Sequence, residues 1–217
     1  VDLTALTRLP EKASTDRAQL DDLLDSSRVA HLGFVVDEQP VVLPTAVARD
    51  GDLLLIHGST GSRWMRHLAT GAPAAAAVTE VGGLVVARSA FESSMHYRSA
   101  VIFGRCQALN GDAKRRALDV LTESLLPDRV GEVRPPSVKE LAATLVLAMP
   151  ITTWSLKVSA DWPEDPPADV KGTAWAGVVP LQLTYGAPLD APDLSPGIPV
   201  PPSVRGLRRA RRPAPRG

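Results

Sequence analysis

A mainly β fold with a few helices, built as a small antiparallel barrel of about six strands, is the class this sequence predicts. Three observations predict it. Strand-like runs follow one another through turns of two or three residues, helical patterns are few, and no strict βα alternation supports a parallel sheet. At 217 residues the chain is long enough to bury one core of ordinary size and to carry tails besides.

The elements follow in order. "TDRAQLDDLLDSS" reads as a first helix, capped by Asp16 with Gln19, with Leu20, Leu23 and Leu24 on one face. "RVAHLGFVV", "QPVVLPTAVAR" and "DLLLIH" are three strands, and "DEQ" and "DGD" between them supply hairpin turn chemistry. "SRWMRHLAT" is a short helix stopped by Gly71. "APAAAAVTEV" and "GLVVARSA" read as two further strands parted by Gly82 and Gly83. "HYRSAVIFGRCQALN" is the longest strand, in which Gly104 suits a bulge or a sharp bend. "DAKRRALDVLTESLL" is a helix with Leu118, Leu121 and Leu125 in register. "SVKELAATLVLAM" reads as another, opened by a Ser137/Glu140 capping box. "PITTWSLKVSA" returns to strand.

From Asp161 onward prolines dissolve the pattern. The expected organisation is an N-terminal arm at 1–15 and a barrel domain at 16–160. A Pro-rich extension at 161–204 then packs on the barrel near Trp175, and a basic disordered tail occupies 205–217.

Lys+Arg and Asp+Glu are both 24, yet the last thirteen residues, "RGLRRARRPAPRG", hold six Arg and no acid. The rest therefore carries 18 basic against 24 acidic residues, a net of about −6. A mildly acidic body argues against a nucleic-acid surface, apart from weak contacts by the tail. One cysteine, Cys106, permits no intrachain disulfide and no thiolate metal cluster. No apolar run reaches the roughly 18 residues of a membrane span, and no signal-peptide pattern opens the chain, so a cytoplasmic protein is expected. The four histidines, His31, His57, His67 and His96, lie on different elements without metal-ligand spacing, and no metal site is expected.

The stretch "LLLIHGSTGSRWMRHL" places Gly, Ser and Thr at a strand exit and a cation at a helix start. Gly58 and Gly61 would let the backbone approach an anion closely, Ser59, Thr60 and Ser62 offer hydroxyls, and Arg63 can clamp two phosphate oxygens. The plainer alternative is that Ser62 is an N-cap and Arg63 a solvated side chain. The G-K-[ST] ending of a Walker loop and the G-x-S-x-G of a nucleophile elbow are both absent. Charge-assisted hydrogen bonds of roughly 1.5–3 kcal/mol each fall short of the ~8 kcal/mol net of micromolar binding. The ligand should therefore also bury a flat apolar part. A second polar cluster, Ser93, Ser94, Tyr97, Arg98 and Ser99, precedes an apolar strand, where it is either site or plain loop.

With these segments in view, the chain resembles the flavin-binding split-barrel superfamily, in the branch related to pyridoxamine 5′-phosphate oxidase, and is similar to nitroimidazole-resistance proteins. The matching residues are "LPTAV" at 43–47, "LIHGSTGSRWMRHL" at 55–68, "ARSAFESSMHYRSAVIFG" at 87–104, "PITTWSLKV" at 150–158 and "AWAGVVPL" at 174–181. The resemblance implies a six-stranded antiparallel split β-barrel of FMN-binding type, working as a homodimer with two flavin sites at the interface. It implies that Pro44 and Thr45 meet the ring edge through backbone groups. His57, Gly58, Ser59, Thr60, Ser62 and Arg63 would hold the ribityl phosphate, and Ser93, Ser94, Tyr97 and Arg98 would complete the site. Arg63 stands where the family often has Lys. Trp154 and Trp175 are candidates for a lid over the ring.

The R-x-H signature of genuine pyridoxamine phosphate oxidases is absent, so that activity itself is not expected. No carboxylate pair stands out as acid and base, which suits a cofactor carrying its own redox chemistry. The expected function is a flavin-dependent oxidoreductase passing electrons from a nicotinamide donor, NAD(P)H, to a small organic acceptor, with catalytic residues unknown. The alternatives are an F420-dependent reductase, or a non-catalytic module that binds flavin, or haem through His57 or His96.

Overall fold

The computed structural model describes residues 2–5 and 7–207. The arginine-rich stretch from 208 onward lies outside the described residues, as do Val1 and Leu6 of the expected N-terminal arm. Among the described residues ten strands make one sheet: β1 (Ala13–Ser14), β2 (Val29–Val36), β3 (Gln39–Asp50), β4 (Leu53–Ser59), β5 (Pro73–Val86), β6 (Ser94–Arg105), β7 (Gln107–Ala108), β8 (Thr144–Pro150), β9 (Thr153–Ser159) and β10 (Gly177–Pro180). Their order is β1-β9-β6-β5-β2-β3-β4-β8-β7, with β10 pairing β5, and every pairing is antiparallel. The helices are α1 (Arg17–Ser26), α2 (Arg63–Ala69), α3 (Gly111–Leu125), α4 (Val138–Ala143), α5 (Pro167–Val170) and α6 (Pro202–Leu207). The sheet does not close on itself, as a split barrel requires, and its strand count exceeds the expected six. Among the described residues no helix is long and apolar enough to cross a membrane.

β3 is shared between two half-sheets. Its first part, to Ala46, pairs with β2, and its last part, Val47–Asp50, pairs with β4. The large half-sheet is therefore β9-β6-β5-β2-β3 and the small one β3-β4-β8. Alternation does the rest: Ala30, Leu32 and Phe34 of β2 and Ala74, Ala76 and Val78 of β5 point into the core, with Leu54 and Ile56 of β4. Leu20, Leu23 and Leu24 of α1 plug one region of this core and Met65 and Leu68 of α2 another, all fully buried. Each such side chain contributes roughly 1.5–3 kcal/mol of burial. A second cluster forms where α3, through Ala117 and Leu121, covers Ala48, Leu55, Val146 and Ala148 on the outer face of the small half-sheet.

Three expectations are corrected. The two runs around Gly82 and Gly83 are one 14-residue strand, β5, because the pair makes a register shift against β6 between Val81 and Gly83 rather than a turn. A Cβ on Gly83 would meet the Val179 carbonyl oxygen at 3.0 Å, so this glycine admits β10 to the β5 edge. Gly104 sits in regular pairing with Ala74, and a Cβ there would meet Met149 Cγ at 3.3 Å. It serves close packing, not a bulge. The helix opened by Ser137 and Glu140 has its full capping box but ends at Ala143, and Thr144–Pro150 is strand β8 paired along β4. Tertiary pairing of a largely buried apolar run outweighs its helical spacing.

The C-terminal extension adds β10 to the sheet and then runs exposed until α6, which includes Arg205 of the expected disordered tail. α6 is held by Glu132: its carboxylate accepts from Ser203 N at 3.0 Å and from the Ser203 hydroxyl. These bonds from Ser203, helped by Arg129, hold Glu132 below its usual carboxylate range. A depressed folded value makes this anchor fully effective above the ordinary value of 4.5 and lost as pH falls through the depressed one. Glu132→Gln is therefore expected to lower the protection factor of the Ser203 amide at pH 7, a loss the native protein shows only in acid, as Glu132 is protonated. Equal exchange in both proteins at pH 7 would remove the anchor.

Candidate functional site

The β3–β4 ladder stops at Val47 with Ile56. Continued, that register would set Pro44 opposite Ser59, but the strands part. β3 turns away along β2, while His57, Gly58 and Ser59 stay on β8, opposite Val146, Leu145 and Thr144. Two strand edges thus face an open split, one carrying Pro44, Thr45 and Ala46, the other His57 to Ser59. Pro44 has no N–H to leave unpaired, and it is exposed. Such edges offer backbone donors and acceptors to a flat ligand lying between them.

At the mouth of the split the chain turns into α2. The Ser59 hydroxyl accepts from Gly61 N at 3.1 Å, Thr60 N donates to the Ala143 carbonyl at 2.9 Å, and Ser62 N donates to Ser59 O at 3.0 Å. The loop's own N–H groups are therefore spent on folding the turn. Gly58 and Gly61 are not at positive φ. A Cβ on Gly58 would meet Met65 Cγ at 3.0 Å, so Gly58 exists to let α2 lie down on β4. What faces outward is the side-chain set. Ser62 occupies the N-cap position without using its hydroxyl as a cap, and Arg63 is exposed with no hydrogen-bonding or ionic partner among the described residues. α2 spans only two turns, and the Thr60 hydroxyl donates to the Ala143 carbonyl at 3.3 Å, which leaves Ser62 and Arg63 as the outward groups that could meet an anion. Sequence reasoning missed Arg66, whose guanidinium donates to the carbonyls of Thr60 at 3.1 Å and Gly61 at 2.9 Å and so clamps the turn. Its position three residues after Arg63, on the same helix face, was the available signal.

His57 stands beside this turn, half-buried. Its Nδ1 is buried without a partner among the described residues, and burial pushes its pKa down. The ring is therefore neutral at neutral pH, with a lone pair to give. His96 differs: its Nε2 lies 2.9 Å from the Asp161 carbonyl. Cys106 is buried, and burial pushes its thiol up to about 11, so it remains a protonated hydrophobe.

The second cluster does not join the first within one chain. β6 is three strand spacings from the β3 edge, ~14 Å across the sheet. The Ser93 hydroxyl accepts from Ala87 N at 3.1 Å and donates to Ser89 O at 2.9 Å, closing its own loop. Ser94 starts β6 opposite Val85, and Tyr97 is half-buried opposite Val81. Arg98 is committed elsewhere: its guanidinium bridges Glu80 Oε2, at 2.6 Å, and Asp22 of α1. Trp154 pairs with Ile102 and packs, half-buried, against the core from β9, whereas Trp175 is exposed. A Cβ on Gly177 would meet the Trp175 indole at 2.7 Å, so that ring lies on β10. Arg98→Ala is expected to cost about 1–2 kcal/mol in urea unfolding, as a half-exposed bridge between α1 and β5, with ligand affinity unchanged. A loss of affinity at constant stability would return Arg98 to the site.

A family model described as pyridoxamine 5′-phosphate oxidase matches residues 16–158. Among solved structures, the FAD and heme binding protein from Mycobacterium smegmatis is 54% identical, with 91% of this chain and 97% of that chain covered and a TM-score of 0.88. The flavocytochrome Anf3 from Azotobacter vinelandii is 30% identical, with 96% and 97% covered and a TM-score of 0.88. A protein assigned to 5-nitroimidazole antibiotic resistance in Bacteroides thetaiotaomicron is 18% identical over 67% of this chain and 86% of that one, with a TM-score of 0.58, and shares the fold. No curated protein gives a significant match. The family match runs from the N-cap of α1 to the penultimate residue of β9, across every strand that builds the split, and the chain belongs to the pyridoxamine 5′-phosphate oxidase family.

Proposed function

We propose that this protein binds a flavin in the split between β3 and β4 and acts as a flavin-dependent redox protein. The observation that carries the reading is the pairing of an open, two-edged split with an Arg63 and a Ser62 hydroxyl at its mouth that have no partner among the described residues. The residues fit a phosphate there: one cation, the Ser62 hydroxyl and the Ser59 hydroxyl, which accepts from Gly61 N and keeps its proton to donate, with no carboxylate bonded to them. Pro44 to Ala46 then meet the ring edge through the backbone. The sequence expectation is FMN, but the 54% identical relative is named for FAD, and this favours FAD. Bound flavin would supply hydride and electron transfer, and the chain's residues would hold and orient it.

A homodimer is part of this reading. The outward positions of the large half-sheet include exposed Val29, Val35, Val42, Leu84 and Met95, an apolar face that a second copy would cover. That face borders the split, so each flavin would lie at the subunit contact. A nicotinamide donor, a small organic acceptor and a cytoplasmic setting remain the proposed context, with F420 as the alternative cofactor.

Identification of the extracted ligand by mass tests the reading, and FAD is the expected result. Arg63→Ala should weaken flavin binding ten- to a hundredfold, the worth of one or two charge-assisted bonds, with an unchanged melting temperature. Unchanged affinity would put the phosphate elsewhere.

A haem reading has its own support. Two relatives that span nearly the whole chain are named for haem or as a flavocytochrome, and His57 offers a neutral ring beside the split with Nδ1 held in the protein. His96 has Nε2 engaged by Asp161 and is the weaker candidate. Reconstitution with haem should give a Soret band that His57→Ala loses while the flavin bands persist. A band that survives in that variant assigns the ligand to another residue.

A further inference from the structure

We propose that residues 181–199 form an exchanged arm that packs on the outer face of the large half-sheet of a second copy of this chain. This rests on the homodimer reading and adds to it the element that does the embracing. The arm is tied at both ends to its own body. Before it, β10 is paired along β5 and Leu181 N donates to the Gly82 carbonyl at 2.9 Å. After it, Ser203 is buried on Glu132, and Arg205 Nη1 donates to Val200 O at 2.6 Å.

Among the described residues, everything between these anchors is exposed, and the backbone bonds of 182–199 reduce to a local turn, Leu194 N to Ala191 O. Yet the arm is apolar. Leu183 is 89% exposed and Leu189 93%, with Tyr185, Leu194 and Ile198 exposed beside them. A chain that anchors both ends of an apolar segment and buries none of its leucines holds that segment out for another surface.

The chemistry of the arm says what kind of surface. Pro188, Pro192, Pro196 and Pro199 preset an extended polyproline conformation, so ordering on a partner costs little entropy. The same prolines lack the N–H groups that a sheet edge would pair, so the arm lies on a face rather than adding a strand. Its only charges are Asp190 and Asp193.

The face bordering the split is complementary on each count. Val42 is 65% exposed and Val35 and Val29 stand near it, around a floor of small residues, Gly33, Ala75 and Ala77. No carboxylate stands among the outward positions of β2, β5, β6, β9 and the β2-paired part of β3, which instead include His31, Lys157 and Arg105. Arm and face belong to one sequence, so a two-fold dimer satisfies both at once, each copy giving an arm and receiving one.

Photo-crosslinking of mixed dimers tests this on the full chain. p-Benzoylphenylalanine replaces the exposed Leu189 in light protein, which is exchanged with unmodified 15N-labelled protein. Expected are crosslinks from the light arm to heavy peptides of β2, β3, β5 or β6. Crosslinks confined to light–light peptides of one chain, in a sample that sediments as a dimer, overturn the arm while leaving the dimer. Sedimentation as a monomer overturns the dimer reading and the arm with it. Leu183→Ser with Leu189→Ser should raise the dimer dissociation constant at least tenfold, with unchanged near-ultraviolet circular dichroism. An unchanged constant counts against the arm.

Discussion

The parting of β3 from β4 after Val47 and Ile56 is the constraint on which the rest of this structure depends. Joined by a tight hairpin at Gly51, the two strands share four residue pairs and then belong to different half-sheets. Backbone polar groups need partners, and β2 and β8 satisfy only the outer edges of the diverging strands. The split is thus the one place in the β2–β4 region where the fold leaves strand edges facing each other across a gap. α2 is pinned at its mouth by Met65 lying against Gly58, which places Ser62 and Arg63 there. Position follows from packing; chemistry follows from what the turn leaves over.

The elements governed by local rules were legible in the sequence. Asp16 caps α1 by accepting from Ala18 N, although Gln19 does not reciprocate because Asp16 N donates to the Ser14 hydroxyl instead; Ser137 and Glu140 close their box, Asp37 and Glu38 take the positive φ of a hairpin turn, and Gly71 stops α2 at positive φ. What depended on distant partners was not. Nothing within "TLVLAM" says that β4 lies alongside it, and helical spacing won on paper where strand pairing wins in the fold. Gly82 and Gly83 look like a turn until β6 on one side and β10 on the other hold them extended.

The site shows the same division at the level of side chains. The sequence showed the residue types near the split, a strand exit rich in hydroxyls followed by Arg, which reads either as an anion cradle or as a capped helix start. Their roles were legible only in part. Gly58 reads as room for a phosphate and turns out to be room for a methionine. Arg98 reads like Arg63, a cation beside serines, yet the β5–β6 register sets it opposite Glu80 and α1 brings Asp22 to it. An arginine's availability is decided by which carboxylates the topology delivers to it, and a single sequence does not display that register.

Energetics ties the split to the arm. On the proposed reading, Ser62 and Arg63 supply at most a few kcal/mol of the ~8 that micromolar binding needs after association costs. The remainder has to come from burying a planar ring at roughly 25 cal/mol per Å². A ring lying in an open split against one face of one chain is covered on one side only. The same chain meanwhile exposes Val29, Val35 and Val42 next to that split and Leu183 and Leu189 on a tethered arm. On that reading, bringing two copies together would cover the second side of the ring, the valines and the arm in one event. Flavin retention and dimer stability are then linked quantities, each strengthening the other by mass action.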